Sequence, residues 1–203
     1  MKILLVGASG IIGKAVADRL SVIHEVISVG YRGGDFQVNL GSKPSIEELF
    51  KAVGTLDAVV CTAGAADFAP FSDLDDAAYD LALSNKLMGQ INLVRVGQNY
   101  VSDGGSFTLT AGILSREPMA GSVVISMANG ALESFARAAS LELERGLRVN
   151  TVSPIFVKET MKMMGMDPTL GLSAADTARA YQAAVEGDFN GDTLDTPDFA
   201  RAS

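Results

Sequence analysis

The stretch Gly7-Ala8-Ser9-Gly10-Ile11-Ile12-Gly13 has the residue types and spacing that most directly imply chemistry. A glycine at its head permits a tight turn, the middle one lets backbone approach a pyrophosphate closely, and Gly13 lets the following helix pack on the preceding strand. The N-terminus of that helix then presents free N–H groups to the anion, so no charged side chain is required. A strand-to-helix turn without any ligand would use the same residues. The run does not read as a mononucleotide P-loop: Lys14 follows Gly13, but no Ser or Thr follows Lys14, and the interval from Gly7 to Gly13 is one residue too long.

Dinucleotide sites that take NAD keep an acid at the end of the second strand for the adenosine ribose hydroxyls. This chain has Val29-Gly30-Tyr31-Arg32 there, with no carboxylate until Asp35. Arg32 is able to form a bidentate pair with a ribose 2′-phosphate. The expected cofactor is therefore NADP(H) in preference to NAD(H), the alternative for Arg32 being a solvated loop side chain. Other chemistry-bearing residues carry less. Cys61, the lone cysteine, offers neither a disulfide nor a metal cluster and reads as buried filler. His24 precedes a strand remote from the cofactor edge, and none of Tyr31, Tyr79, Tyr100 and Tyr181 has a lysine four residues on. No metal site is expected.

The elements that must position the glycine loop follow from hydrophobic pattern. Short runs of Val, Ile and Leu alternate with segments of helical period, as when parallel strands buried on both faces are joined by helices. The fold class expected is α/β, a single doubly wound parallel sheet of Rossmann type, forming one domain over residues 1–203. Strands are expected at Lys2–Val6, Glu25–Val29, Phe36–Asn39, Ala58–Thr62, Ser106–Thr110, Arg148–Ser153 and Asp192–Leu194. Only Gly30 to Asp35 joins the second strand to the third, too little for a crossover helix, so one helix of the usual pattern is missing. Ser42-Lys43-Pro44 opens a helix that Gly54 closes, Ser72 with Asp75 resembles a capping box, and Ser173 with Asp176 starts a helix that Gly187 ends. From Ser122 to Arg145 a long helix is expected, with Ala128, Ala131, Leu132, Phe135, Ala138 and Ala139 on one stripe and Arg145-Gly146 as its stop.

Composition limits the partners. Sixteen Lys and Arg against 24 Asp and Glu give a net charge of −8 without any basic cluster, which argues against nucleic acid. At 48% hydrophobic and 20% charged residues, the chain suits a full core rather than disorder. The apolar run before Gly7 is too short for a secretory leader, and no later run approaches bilayer length, so a cytoplasmic location and no membrane partner are expected.

These residues together resemble the short-chain dehydrogenase/reductase superfamily over nearly the whole chain. Gly7 to Gly13 is similar to its GxxGxxG loop, Cys61-Thr62-Ala63-Gly64 to its NNAG element, and Arg148-Val149-Asn150-Thr151-Val152-Ser153-Pro154 to its sixth strand. Ala128-Asn129-Gly130-Ala131-Leu132-Glu133-Ser134-Phe135 resembles the stretch running on from its catalytic lysine. The resemblance implies cofactor contacts, which with the loop and strand ends make the set Gly7, Ser9, Gly10, Ile11, Ile12, Gly13, Tyr31, Arg32, Asn39, Leu40, Ala63, Gly64 and the backbone of Val157. It also implies a homodimer or homotetramer through the long fourth and fifth helices. After Pro154, Thr160 stands one position late for the family's nicotinamide-holding threonine, and a methionine-rich run from Met161 to Met166 occupies the place of its substrate lid.

The family's catalytic tetrad is absent. Its register puts Gly112 at the serine, Ile125 at the tyrosine, Asn129 at the lysine and Lys86 at the asparagine. Lys86 and Asn129 thus stand in exchanged positions around one cavity. As candidate catalytic residues we take Lys86 as general acid or fixed cation, Asn129 as its partner, and Thr110 as a hydroxyl at a strand end facing the nicotinamide, with Ser115 and Ser126 as further hydroxyls lacking a visible base. The alternative is a snorkelling lysine, a helix-facing amide and ordinary capping hydroxyls. Two functions remain open at this point: an NADP(H)-dependent oxidoreductase acting on a small carbonyl or alcohol through a non-standard proton-transfer set, or a non-catalytic NADP(H)-binding sensor or scaffold.

Overall fold

Ile3, Leu4, Leu5 and Val6 point alternately to opposite faces of a strand, yet all four are buried, which requires a layer of helices on each side. The computed structural model, which describes residues 1–200, has that arrangement. Seven parallel strands, β1 (Lys2–Val6), β2 (Glu25–Gly30), β3 (Phe36–Gln37), β4 (Leu56–Cys61), β5 (Val101–Thr110), β6 (Arg148–Ser153) and β7 (Thr193–Asp195), form one sheet in the order β3-β2-β1-β4-β5-β6-β7. This is the doubly wound Rossmann-type α/β fold expected. On one face Leu4, Val6, Val59, Phe107 and Leu109 meet α2 (Lys43–Val53), α4 (Met88–Gly97) and α5 (Val123–Ala139). On the other, Ile3, Leu5, Ala58 and Val60 meet α1 (Ile11–Leu20) and α7 (Ala174–Glu186). The short helices α3 (Asp76–Leu81), α6 (Lys158–Met163) and α8 (Thr196–Phe199) complete the set, and a π-helical turn over Ala82–Leu87 joins α3 to α4.

The absent helix is seen directly. Tyr31–Asp35 carries the chain from β2 to β3 by folding back on β2: the Asp35 N–H donates to the Ser28 carbonyl at 2.8 Å, and its carboxylate accepts from the Ser28 N–H and hydroxyl, each at 2.8 Å. Gly34 makes the turn at φ +94°, where a Cβ would lie 2.7 Å from the Ser28 oxygen.

Several boundaries differ from those expected, for identifiable reasons. Asp75, rather than Ser72, caps α3, accepting from the Ala78 N–H at 3.0 Å, while the Ser72 hydroxyl turns to Asp73. Helix α5 ends at Ala139 instead of Arg145, and Ala138 is exposed. Arg145 is engaged elsewhere. At φ 59° it donates to the carbonyls of Val101 and Gln98 and to Asp103, holding a bulge in β5. That bulge, between the pairs Leu56↔Val101 and Ala58↔Ser106, is why β5 begins five residues before the expected Ser106. Ser42 and Ser173 cap α2 and α7 as expected, and Gly54 and Gly187 follow them.

Helix α4 meets the sheet at Gly97, where a Cβ would lie 2.7 Å from Phe50 and 2.8 Å from Phe107, both fully buried. Alanine here gains about 1 kcal/mol of helix propensity and suffers about 1–3 kcal/mol of overpacking. Gly97→Ala is expected to lower stability by up to about 2 kcal/mol, whereas Gly130→Ala in α5, with nothing within 4 Å, should raise it. Urea midpoints of the two variants test the pair.

Candidate functional site

The loop after β1 is built by two contacts that exclude side chains. Gly7 has φ +93°, and a Cβ there would sit 2.7 Å from the Thr62 hydroxyl and 2.8 Å from the Ala63 nitrogen. At Gly13 a Cβ would fall 1.9 Å from the Gly7 carbonyl oxygen, so only glycine lets α1 start this close to the strand. Gly10 is the N-cap of α1 and no side chain caps it. The Thr62 hydroxyl bonds the carbonyls of Val6 and Gly7, both at 3.2 Å, tying the loop to the end of β4.

Around it lies a cleft of about 590 Å³, lined by Gly7, Ser9, Gly10, Tyr31, Asn39, Leu40, Ala63 and Gly64 among others. The structure thus gathers eight of the thirteen expected cofactor contacts onto one surface. Ile11, Ile12 and Gly13 lie behind it in α1. Arg32 stands exposed at its edge, its guanidinium 5.8 Å from the Tyr31 ring centroid. Asp35, the nearest carboxylate in sequence, faces Ser28, whose N–H and hydroxyl hold it below the usual carboxylate range. Val157 is not among the residues lining the cleft, and its N–H has no acceptor among the described residues. Asn85, which no motif in the sequence singles out, also lines the cleft and accepts from the Ala65 N–H at 2.9 Å.

The candidate catalytic residues collect beyond the end of β4. Lys86 lies in the π turn, 6% exposed, its stem beneath Gly64 and its Nζ 3.4 Å from the Thr110 carbonyl. Gln90 grips the same residue, accepting from the Thr110 N–H at 2.7 Å and donating to its carbonyl at 3.0 Å. Asn129 donates to the Gly112 carbonyl at 3.4 Å. Lys86 and Asn129 therefore share one region, each on its own carbonyl. The Thr110 hydroxyl does not face the nicotinamide region as expected: it is 2.6 Å from the Cys61 carbonyl and 2.7 Å from the fully buried Tyr181 hydroxyl, turned toward α7. Ser126 donates to Ser122, but Ser115 does have a base, donating to the buried Glu133 carboxylate at 2.6 Å. Glu133 in turn faces Arg116, which forks onto Asp195 and reaches Ser153. The 18-residue separation of Ser115 and Glu133 hid that pair. In the methionine-rich segment Met161 is buried whereas Met163 and Met164 are exposed, and the Glu159 carboxylate ties α6 to the Ala174 N–H at 3.0 Å.

A protein-family model described as enoyl-(acyl carrier protein) reductase matches residues 12–185. The chain belongs to the short-chain dehydrogenase/reductase superfamily. A short-chain dehydrogenase/reductase of Stachybotrys chlorohalonatus, ATR9, is 31% identical over 147 residues, 69% of this chain and 56% of that protein. The chain spans 56–68% of the length of the curated relatives it matches. Among solved structures, the protein lin1944 from Listeria innocua is 41% identical with a TM-score of 0.93, covering 96% of this chain and 98% of that one. A small-chain dehydrogenase in complex with NADPH is 25% identical with a TM-score of 0.84, covering 96% and 95%. Among the described residues no helix is long and apolar enough to cross a membrane.

Burial pushes the Lys86 amine down to about 8. Cys61 lends no countercharge at neutral pH, because burial pushes its thiol up to about 12. Between about 8 and the usual lysine value of 10.5, the unfolded chain holds a proton that the folded chain has released, so stability rises with pH across that window. Lys86→Met is expected to abolish this rise, on the order of 3 kcal/mol in all, and to be more stable than wild type at pH 7. Urea titrations of both proteins from pH 7 to 10.5 measure the difference.

Proposed function

We propose that this chain binds NADP(H) in the cleft beside Gly7–Gly13 and acts as an oxidoreductase on a small carbonyl or alcohol. The close-packed turn at Gly7 and Gly13 carries the reading, since a Cβ at Gly7 would meet the Thr62 hydroxyl and the Ala63 nitrogen and a Cβ at Gly13 the Gly7 carbonyl, so that only glycine keeps the loop beside the cleft this tight. The residues present fit a dinucleotide. Gly7, Ser9, Gly10, Ile11, Ile12 and Gly13 would hold its pyrophosphate, Tyr31 and Arg32 its adenosine ribose phosphate, Asn39 and Leu40 the adenine, and Ala63, Gly64 and the Val157 N–H the nicotinamide end. Arg32, in no ion pair among the described residues, with Asp35 engaged by Ser28, favours NADP(H) over NAD(H). Bound there, the nicotinamide would supply hydride transfer. Lys86 is the proposed proton donor, its amine able to titrate near neutral pH, with Asn129 beside it and the Thr110 carbonyl orienting it.

A second reading, a non-catalytic NADP(H)-binding sensor or scaffold, is favoured by one observation. Gly112 and Ile125 have no exchangeable side-chain proton, and the Thr110 hydroxyl is committed to Cys61 and Tyr181. The exposed apolar side chains of Leu81, Leu83, Met88, Val123 and Met127, on α3, the π turn, α4 and α5, fit a homodimer or homotetramer built on those helices.

Wild-type protein is expected to bind NADPH at least tenfold more tightly than NADH by nicotinamide fluorescence, and Arg32→Ala to remove most of that difference. Binding of neither would overturn both readings. With NADPH bound, consumption with a panel of ketones and aldehydes, reduced at least tenfold in Lys86→Met, supports the enzyme; tight binding without consumption supports the sensor. Sedimentation should give a dimer or tetramer that Leu83→Glu dissociates.

A further inference from the structure

A groove of about 730 Å³, larger than the cleft beside Gly7, runs between α2 and α4. Lys43, Glu47 and Lys51 line it from one stripe of α2, each four residues after the last. Arg95, Gln98 and Asn99 face them from the end of α4 and the turn that follows. Tyr100 lines it as well, its ring stacked on that of Phe50 at 5.5 Å. The Tyr100 carbonyl accepts from the Leu56 N–H at 3.0 Å, where β4 begins. Since β1 and β4 are parallel and the Gly7 loop follows the end of β1, this part of the groove lies at the opposite edge of the sheet from that loop.

Cations in the last turn of a helix ordinarily offset its exposed carbonyls. In α4 two amides do this: Gln98 Nε2 donates to the Arg95 carbonyl at 3.0 Å and Asn99 Nδ2 to that of Val96 at 3.5 Å. Arg95 turns the other way, its Nη1 donating to Asn92 Oδ1 at 2.9 Å. Asn92 is 7% exposed, so a buried amide anchors the guanidinium, whose Nε and Nη2 have no acceptor among the described residues. Lys51 is in no ion pair among the described residues. Glu47 is taken by Lys43 at 2.6 Å, and that hydrogen bond, with a weaker contribution from the charge of Lys51, holds its carboxyl below the usual range. Three cations against one carboxylate leave two positive charges in excess, on a chain whose net charge is −8. No basic run in the sequence signals this, because two helices contribute.

An occupant has to bring about two negative charges and to present paired oxygens to the free edge of a guanidinium. A carboxylate meets only the second requirement. A phosphate monoester meets both, with about −1.5 to −2 charges near pH 7 and three acceptor oxygens. The volume is that of a small-molecule site, about 300–1,000 Å³, rather than of a phosphate alone, and Val96 and Tyr100 are there to meet an organic portion.

We propose that the groove between α2 and α4 is a second ligand site, separate from the dinucleotide cleft, that binds a small organic phosphate monoester. Arg95 and Lys51 hold the phosphate, and Val96 and Tyr100 face the organic portion. The test titrates phenyl phosphate into nitrogen-15-labelled protein and follows backbone amide shifts, with benzoate as the singly charged counterpart and inorganic phosphate as the probe lacking an organic portion. Phenyl phosphate is expected to shift the amides of Lys51, Arg95, Gln98 and Tyr100 and to leave Gly7–Gly13 in place, the other two probes binding about tenfold more weakly. Arg95→Gln and Lys51→Gln should each weaken phenyl phosphate about tenfold, whereas Glu47→Gln, which removes the opposing carboxylate, should tighten it about threefold. All three side chains reach solvent, and the amide spectrum of each variant reports that it is folded. Shifts confined to Gly7–Gly13, an equal response to benzoate or inorganic phosphate, unchanged affinity in Arg95→Gln and Lys51→Gln, or weakening in Glu47→Gln would each overturn the proposal. NADPH takes no part in the titration, so protein that fails to bind NADPH yet binds phenyl phosphate at the groove loses the functional reading above and keeps this site.

Discussion

Beyond Cys61 the chain leaves the sheet, but β5 continues, paired with β6 on one side, and its backbone polar groups on the other side need partners that no strand supplies. Gln90, Lys86 and Asn129 supply them from helices. This substitution of side chains for a missing strand fixes how α4 and α5 sit on the sheet end and why three large polar residues are buried there. The π turn follows from the same requirement: it brings the consecutive residues Asn85 and Lys86 against the loop at Gly64 and Ala65, one by hydrogen bond and the other by packing. Because a lysine takes part, the arrangement carries a charge into the interior, and the depressed amine is the physical result.

Much of this was legible in the residues because its causes are local. The glycine loop, the caps at Ser42 and Ser173 and the short β2–β3 link each depend on neighbours a few positions away. Strand assignment succeeded because burial on both faces leaves near-continuous apolar runs. The failures share a different cause. Arg145 reads as a helix stop, yet its work lies with Gln98, Val101 and Asp103, more than forty residues earlier. Thr110 reads as a hydroxyl at the strand end, but strand alternation combined with Tyr181 from a distant helix decides its direction. Ser115 gains its carboxylate partner only when α5 packs against the loop after β5.

Membership in the superfamily rests on the whole fold, whereas the sheet end is built from a few polar side chains. The glycine turn leaves no room for a side chain at Gly7 or Gly13, whereas at the sheet end a few polar side chains, among them Lys86 and Asn129, lie on the carbonyls of Thr110 and Gly112. A fold keeps its binding geometry through backbone shape, which glycine positions enforce sterically. Proton transfer depends on a few side-chain atoms and is free to relocate or vanish. Lys86 is the group on which that distinction turns, since its burial makes it a stability burden at neutral pH.

The Asp35 fold-back has a consequence for how molecules of this protein meet one another. Open sheets end in strands whose unpaired backbone invites another chain to add on. Here β3 is only two residues long, so most of β2 would present such an edge, but a carboxylate already occupies the Ser28 N–H. The other border, β7, has three residues. Brevity at both borders and an anion seated on the longer exposed one make sheet extension between copies unfavourable, and so guard a concentrated solution of the folded protein against fibrous association.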